Sequence, residues 1–392
     1  MMINRYLQLD ALRGLAAVIV LLGHVYAVHA EHSAAASLLF DAAYSPLVFL
    51  VNGHAAVVFF FVLSGFVLSL PILGSKKVAY RSYLVKRFFR IYVPYAACIA
   101  IGIPLLAFAP KFQSDRFPLA YNVVWTHALS GKEIVSHLLA IVPFKTADLN
   151  GVIWTLVHEM RISIIFPFVV LLLMTRKWFI SLIALPALSV LAALAISFAH
   201  IHAMDTLHYL SFFILGMLIA RYRSELTRFT EERAARTRWF YWMAGFALYN
   251  YAFLIVKSLE RAETGFSYVW MLGDYLYAAG VCSILVLSLS STRATYWLTR
   301  KSPVFIGKIS YSLYLYHFLI LLSFMHYFYG RVSFYILLPF AVALSFIVGY
   351  LGYKYVELPS IALGRRIAGK LRGGGHTKVM PVQNIQEGQA AV

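Results

Sequence analysis

Apolar runs long enough to cross a bilayer, on the order of 20 residues each, recur from one end of this chain to the other. The runs are continuous and do not alternate apolar with polar residues, which excludes a transmembrane barrel. Only 13% of the residues are charged, well below the share of roughly 25% that is typical of soluble domains. The sequence therefore predicts an all-α polytopic membrane protein.

Ten of these runs are expected to cross the membrane as a bundle of about ten transmembrane helices. They lie near residues 9–29, 46–70, 91–109, 152–174, 178–199, 207–220, 239–256, 269–289, 309–328 and 333–355. An even number of spans places both termini on one side. We expect residues 1–360 to form the membrane domain, and residues 361–392 to form a basic, then polar cytoplasmic tail that is disordered.

The distribution of positive charge gives the orientation. Of the 34 Lys and Arg residues, 25 fall on the side of the termini. Seven fall on the other side, namely Lys111, Arg116, Lys132, Lys145, Lys257, Arg261 and Arg331. Lys and Arg concentrate in cytoplasmic loops, so both termini are expected in the cytoplasm and the protein in the cell (inner) membrane.

The net charge of +18 does not indicate a nucleic-acid partner, because the basic residues cluster in short loops between apolar runs. Membrane lipids are their expected neighbours. Cys98 and Cys282 both lie within apolar runs and match neither a metal spacing nor a disulfide framework. We expect no metal site and no nucleic-acid binding.

The first span carries two unexpected polar residues, Arg13 and His24. They are eleven positions apart, which places them on roughly one face of a helix and about 16 Å apart along its axis. A histidine at that depth costs free energy unless it faces a polar interior. It is either a functional imidazole or a packing residue that is hydrogen-bonded to a neighbouring helix.

Two further segments break the apolar pattern. Arg87 and Arg90 are three residues apart on one helical face at the expected cytoplasmic mouth, where two guanidinium groups can grip a phosphate. The alternative is an anchor that contacts lipid headgroups. His158, Glu159 and Arg161 share one turn, either as a self-neutralised packing cluster or as part of a site.

Small and aromatic residues mark other helix contacts. Ser64 and Gly65 let another helix approach closely. His317 follows Tyr311 in span nine, where an aromatic belt and packing also explain these side chains. Glu357 closes span ten, where a capping carboxylate suffices. The remaining histidines are expected at the surface near external loops: His29, His32, His54, His200, His202 and His208.

Six segments in order resemble the signatures of membrane acyltransferase family 3, over essentially residues 1–360. They are Leu9 to His24, Phe59 to Phe66, Arg87 and Arg90 before Tyr92 and Pro94, Trp154-Thr155-Leu156 with Glu159 and Pro167, Tyr311 to His317, and Glu357 with Pro359. The resemblance implies a ten-helix inner-membrane enzyme that moves acyl groups, often acetyl from acetyl-coenzyme A, onto extracytoplasmic sugars. This chain departs from the family at Arg161-Ile162-Ser163, where an aromatic pair is usual.

Acyl transfer to a hydroxyl needs a base and a site that holds the donor. His24 is expected to act as the base or to be acylated itself, and Glu159 is the carboxylate expected to orient it. Arg87 and Arg90 would bind the phosphates of acyl-coenzyme A, which is a co-substrate, so no tightly bound cofactor is expected. Arg13 would bind the donor too or pair with its neighbour Asp10. Further residues are expected to line the site: Asp10, Ser64, Trp154, His158, Tyr311 and His317.

The function expected from these residues is the transfer of an acyl group, acetyl above all, to a carbohydrate or lipid-linked glycan such as a surface polysaccharide. The rival interpretation is a multi-pass transporter or flippase for a glycan or glycolipid. It explains ten spans, but it does not predict the Arg13–His24 spacing together with paired arginines. A structural or sensor protein explains the buried polar groups least well.

Reporter fusions test the expected orientation. Fusions after Tyr80, Glu232 and Gly373 should report the cytoplasm, and fusions after Ala35 and Thr264 the outside, because 25 of the 34 cationic residues lie on the side of the termini. The measurement is paired alkaline phosphatase and fluorescent-protein activity in the same positions. An external signal at Gly373 would contradict the ten-span arrangement.

Overall fold

A computed structural model describes residues 6–30, 45–74, 79–110, 121, 123–140, 144–261 and 268–371. These residues form helices joined by short connections and contain no strand. The helices are α1 (Leu7–Ala30), α2 (Gly53–Leu73), α3 (Tyr80–Phe108), α4 (Gly131–Leu139), α5 (Trp154–Leu173), α6 (Trp178–Ala199), α7 (Asp205–Arg221), α8 (Arg223–Glu231), α9 (Ala235–Arg261), α10 (Val269–Ser290), α11 (Thr292–Leu298), α12 (Lys301–Phe328), α13 (Phe334–Gly352) and α14 (Leu358–Lys370).

Nine helical segments in the described part of the chain are long and apolar enough to cross a membrane. The remaining expected span is α7, which has 17 residues. It lies inside the bundle, with most of its side chains buried, and packs against α2, α5 and α6. The expected all-α polytopic architecture is confirmed, and α7 accounts for the difference between nine long helices and about ten spans.

Glycines bring two pairs of helices together at backbone distance. A Cβ atom at Gly65 in α2 would overlap the backbone of Phe213 in α7, and one at Gly216 would overlap that of Val62. Gly14 in α1 and Gly307 in α12 meet in the same way. Small residues allow helices to approach this closely in a membrane, as expected for the Ser64–Gly65 segment. The contacts set α1, α2, α7 and α12 around one interior.

The helix ends differ from the sequence expectations in two places. Helix α3 begins at Tyr80, so Arg87 and Arg90 lie on its first turns. Glu357 and Pro359 do not end the last span, because a π-helical turn, Tyr353–Glu357, leads directly into α14. The wider π-helical turn accommodates the ring of Pro359, which in a regular α-helix would clash with the carbonyl four residues earlier.

Helix α14 occupies part of the segment that was expected to be a disordered tail. Residues 361–370 are helical and pack along α3, where the side chain of Phe89 lies against Gly364. The Ser360 hydroxyl donates to the carbonyl of Phe89. The first part of the expected tail is therefore an ordered continuation of the bundle, and residues 372–392 lie outside the described residues.

The segment between α3 and α5 folds back onto the bundle. It contains the short amphipathic helix α4, which begins with a capping box between Ser130 and Glu133. Trp125 donates to the carbonyl of Leu149 at 2.8 Å, and buried Asn150 donates to the carbonyl of Leu315 in α12 at 3.1 Å. These bonds fix the backbone just before α5, where it borders the interior of the bundle.

Candidate active site

A large cavity lies near the N-terminal end of α1, and we call it the basic cavity. It has a volume of about 940 Å³, at the upper end of the roughly 300–1,000 Å³ that small-molecule sites occupy. Six cationic side chains and three carboxylates line it, namely Arg13, Lys86, Arg87, Arg90, Lys308, Arg365, Asp10, Glu159 and Glu357. The excess of positive charge suits an anionic ligand.

An ion pair between α3 and α5 lines this cavity. Arg87 Nη2 lies 2.6 Å from Glu159 Oε1. Arg87 also donates to the Ser163 hydroxyl from Nε at 3.2 Å and from Nη2 at 3.0 Å. Ser64 of α2 donates to the same carboxylate oxygen at 3.4 Å. The pair therefore joins three helices and uses part of the charge of Arg87 within the protein.

Other expected site residues line the same cavity with partners of their own. Arg13 Nη1 donates to Asp10 Oδ1 at 3.0 Å, which is one of the two alternatives for Arg13. The Tyr311 hydroxyl donates to the carbonyl of Ile91 at 2.7 Å. Arg90, by contrast, forms no ion pair with a carboxylate of the described residues. It interacts electrostatically with Glu357, which lines the same cavity.

A second, smaller cavity of about 270 Å³ lies toward the other end of α1, and we call it the histidine cavity. It is lined by His24, His54, Trp154 and Tyr314, with Val20, Gly23, Val51, Gly53, Val57, Gly151 and Val152. Three glycines among these residues leave backbone exposed to the cavity. Two imidazoles and two aromatic rings in a small space can bind a hydroxyl-bearing molecule and exchange protons with it.

His24 is surrounded by aromatic rings. Its ring centroid lies 5.5 Å from that of His317 and 4.7 Å from that of Phe318. His317 is fully buried and bonds through Nδ1 to the carbonyl of Leu313 at 3.1 Å. Its Nε2 has no hydrogen-bond partner among the described residues. His317 therefore belongs to the immediate surroundings of His24, behind the wall of the histidine cavity.

The two cavities meet inside the bundle. Val57 of α2 and Tyr314 of α12 line both of them. Tyr314 is held by hydrogen bonds that join its hydroxyl to Thr155 at 2.8 Å and to the carbonyl of Val152 at 3.1 Å. Because Arg13 and His24 are about 16 Å apart along α1, the two cavities lie at different levels of the bundle and adjoin at Val57 and Tyr314.

The expected pairing of Glu159 with His24 is not what the structure shows. Glu159 lines the basic cavity and binds Arg87, whereas His24 lines the histidine cavity. The helical turn that carries Glu159 spreads its polar groups in two directions. His158 and Arg161 both contact the Thr206 hydroxyl near the start of α7, at 2.9 and 3.4 Å. Glu159 is therefore part of the basic cavity, as one of the two alternatives expects, whereas His158 and Arg161 contact α7.

Sequence reasoning missed the contacts of four polar residues, namely Glu357, His54, His208 and Asp274. Glu357, expected to be a simple cap, is buried, lines the basic cavity and accepts from Ser312 at 2.9 Å. His208, expected at the surface, is buried, whereas His54 is exposed as expected; both bond to Asp274. His54 stands just before the apolar run of α2, and Asp274 interrupts an apolar run. The position of Asp274 within a membrane span could have pointed to this network, because acidic residues are rare inside spans and usually have a functional role there.

One group of side chains has the spacing of metal ligands. His127, Glu133 and Asp148 place their ligand atoms within 4.8 Å of one another. Hydrogen bonds from the hydroxyl and backbone of Ser130 lower the pKa of Glu133 to about 2. That carboxylate is thereby engaged in the capping box of α4 and with His127 at 3.4 Å.

Fold and cavities together describe a polytopic membrane protein with one cavity rich in cationic side chains and a second cavity lined by two histidines. A family model described as an acyltransferase domain (Acyl_transf_3) matches residues 6–354. The chain belongs to this acyltransferase family. The match ends before Glu357 and Pro359. No curated protein and no solved structure matches the chain with significance.

The Arg87–Glu159 pair can be tested by a double-mutant cycle. We expect Arg87→Ala and Glu159→Gln each to lower the thermal stability of the detergent-solubilised protein. The double variant should lose less than the sum of the two, with a coupling of about 0.5–3 kcal/mol. The measurement is thermal unfolding followed by fluorescence. Strictly additive losses would show that the two side chains do not stabilise each other.

Proposed function

We propose that this acyltransferase moves an acyl group, acetyl above all, from acyl-coenzyme A to a hydroxyl of an extracytoplasmic or lipid-linked carbohydrate such as a surface polysaccharide. The observation that carries the proposal is the meeting of the basic cavity and the histidine cavity at Val57 and Tyr314. Such an arrangement lets a donor and an acceptor approach from opposite sides and react across a short distance. The enzyme would act in the inner membrane, with the basic cavity toward the cytoplasm.

The donor would bind in the basic cavity. Coenzyme A carries several phosphate groups on a long flexible arm, and arginine is well suited to phosphate because its planar fork donates two parallel hydrogen bonds. Arg90 and Arg87 lie together on α3 at the mouth of the cavity. With the phosphates there, the pantetheine arm would extend along the cavity toward Tyr314 and bring the thioester to the histidines.

The acceptor would bind in the histidine cavity. Imidazole is the side chain best suited to proton transfer near neutral pH, and the Trp154 ring offers an apolar face to a sugar. His24 would act directly on the acyl transfer. His24 lies on α1, the helix that also carries Arg13 of the basic cavity.

Donor binding depends on the paired arginines in this proposal. Replacing both Arg87 and Arg90 by Ala should weaken the binding of coenzyme A, because each lost charge-assisted contact to phosphate typically costs ~1.5–3 kcal/mol. The measurement is calorimetric titration of purified protein with coenzyme A, with KM for acetyl-coenzyme A alongside. Arg228→Ala is the matched control, since it removes an exposed charge outside the cavity. Unchanged affinity in the double variant would reduce the pair to a membrane anchor.

His24 is tested by its removal. Membranes with the parent protein should consume labelled acetyl-coenzyme A and form an alkali-labile ester in carbohydrate. His24→Ala should insert normally, because losing a polar group does not oppose membrane integration. It should still bind coenzyme A, while transfer falls by roughly 10²–10⁴. Transfer at the parental rate would remove His24 from the reaction. A parent that consumes no acetyl-coenzyme A but moves a glycolipid across the bilayer would return the flippase interpretation.

A further inference from the structure

A buried carboxylate joins two histidines at the edge of the histidine cavity. Asp274 of α10 is 1% exposed. Its Oδ1 lies 2.5 Å from Nε2 of His54 in α2, and its Oδ2 lies 3.2 Å from Nε2 of His208 in α7. Both carboxylate oxygens are thus bonded to imidazole nitrogens of different helices. An acidic group is rarely placed in the interior of a membrane bundle for packing alone.

The far end of this network is fixed by hydroxyl groups. Nδ1 of His208 bonds to the Ser189 hydroxyl of α6 at 2.8 Å, and Ser189 bonds to the Tyr275 hydroxyl at 2.6 Å. Tyr275 in turn donates to the carbonyl of Leu185 at 2.7 Å. The orientation of Asp274 is therefore set by a chain of hydrogen bonds that ends on the backbone of α6.

His54 is the member of the network that reaches the cavity. Its side chain is 45% exposed, against 1% for Asp274, and it lines the histidine cavity together with His24. Asn52 caps α2 by accepting from the backbone N–H of Ala55 at 3.1 Å. The cap holds His54 in the first turn of α2, where one side of its ring meets Asp274 and the ring borders the cavity.

The hydrogen bond to Asp274 fixes the tautomer of His54. When Nε2 donates its proton to the carboxylate, the lone pair lies on Nδ1, which can accept a proton. The carboxylate then stabilises the imidazolium that forms, as a buried aspartate does for the histidine of a catalytic triad. His24 has aromatic neighbours and His317 around it. The two histidines of the cavity are thus in different electrostatic settings.

We propose that His54, positioned by Asp274 and His208, is the base that removes the proton of the acceptor hydroxyl, while His24 carries the acyl group. The inference rests on the proposed function and divides its chemistry between two imidazoles. It identifies the ligand of the histidine cavity as a hydroxyl nucleophile. Asp274 and His208 act through His54 and are positioning residues.

The transfer then proceeds in two balanced steps. First, a ring nitrogen of His24 attacks the thioester carbon, the C–S bond breaks, and the ring's N–H proton passes to the thiolate of coenzyme A. Second, the acceptor oxygen attacks the acyl carbon, the C–N bond to His24 breaks, and the hydroxyl proton passes to Nδ1 of His54. His54 returns this proton through the cavity to the ring of His24, and both histidines end neutral.

Two nucleophile probes separate these roles. Water needs a base to attack an acyl group, whereas hydroxylamine is a strong nucleophile that reacts without one. With acetyl-coenzyme A and water alone, His54→Ala and Asp274→Asn should lower the release of coenzyme A by roughly 10²-fold, the contribution of a positioned base. With hydroxylamine added, both variants should form acetohydroxamate at the parental rate. His24→Ala should lose both reactions and supplies the uncatalysed background.

A matched control is Glu232→Gln, which converts an exposed carboxylate outside both cavities into an amide and should leave both rates at the parental level. The inference is overturned if His54→Ala hydrolyses acetyl-coenzyme A as fast as the parent. Equal losses with water and with hydroxylamine also overturn it, because the network would then only support the fold. A parent that releases coenzyme A with neither probe overturns the proposed function itself, and this inference with it.

Discussion

Charged groups inside a membrane bundle need partners or water, and this requirement organises the interior of the protein. Three carboxylates illustrate it. Asp10 is bonded to Arg13, Glu159 to Arg87, and Asp274 to two histidines. Each of these acids lies at a place where helices converge. An unpaired charge there would cost several kcal/mol or more, so the polar contacts and the helix arrangement specify each other.

The close helix crossings place these charges. Glycines let α2 approach α7, and α1 approach α12, to backbone contact. These two helix pairs are therefore closely packed along the interior of the bundle. Two cavities remain between the helices, and among the residues described here only Val57 and Tyr314 line both of them. The helix packing, as much as the residue types, therefore places the cationic side chains in one cavity and His24 and His54 in the other.

The architecture was largely readable from the sequence, because apolar runs of spanning length are a strong signal. The polar residues to examine were also visible, since Arg13, His24, Arg87 and Glu159 each break an apolar or helical pattern. What the sequence did not give is the pairing between distant elements. Glu159 was assigned to His24, but the geometry of α3 and α5 brings Arg87 to it. His54 was expected at the surface near an external loop, and its bond to Asp274 could not be foreseen because Asp274 lies 220 positions away.

The π-helical turn at Tyr353–Glu357 has a geometric consequence for the whole C-terminal segment. Each residue of an α-helix advances the side-chain direction by about 100°, so one extra residue in a turn resets the angular phase of everything that follows. The reset places Glu357 on the wall of the basic cavity and Arg365 on the same wall two turns later. Adding or deleting one residue in this turn would rotate both Glu357 and Arg365 away from the cavity by about 100°. The length of the turn is therefore under a stricter constraint than the identity of most of its residues.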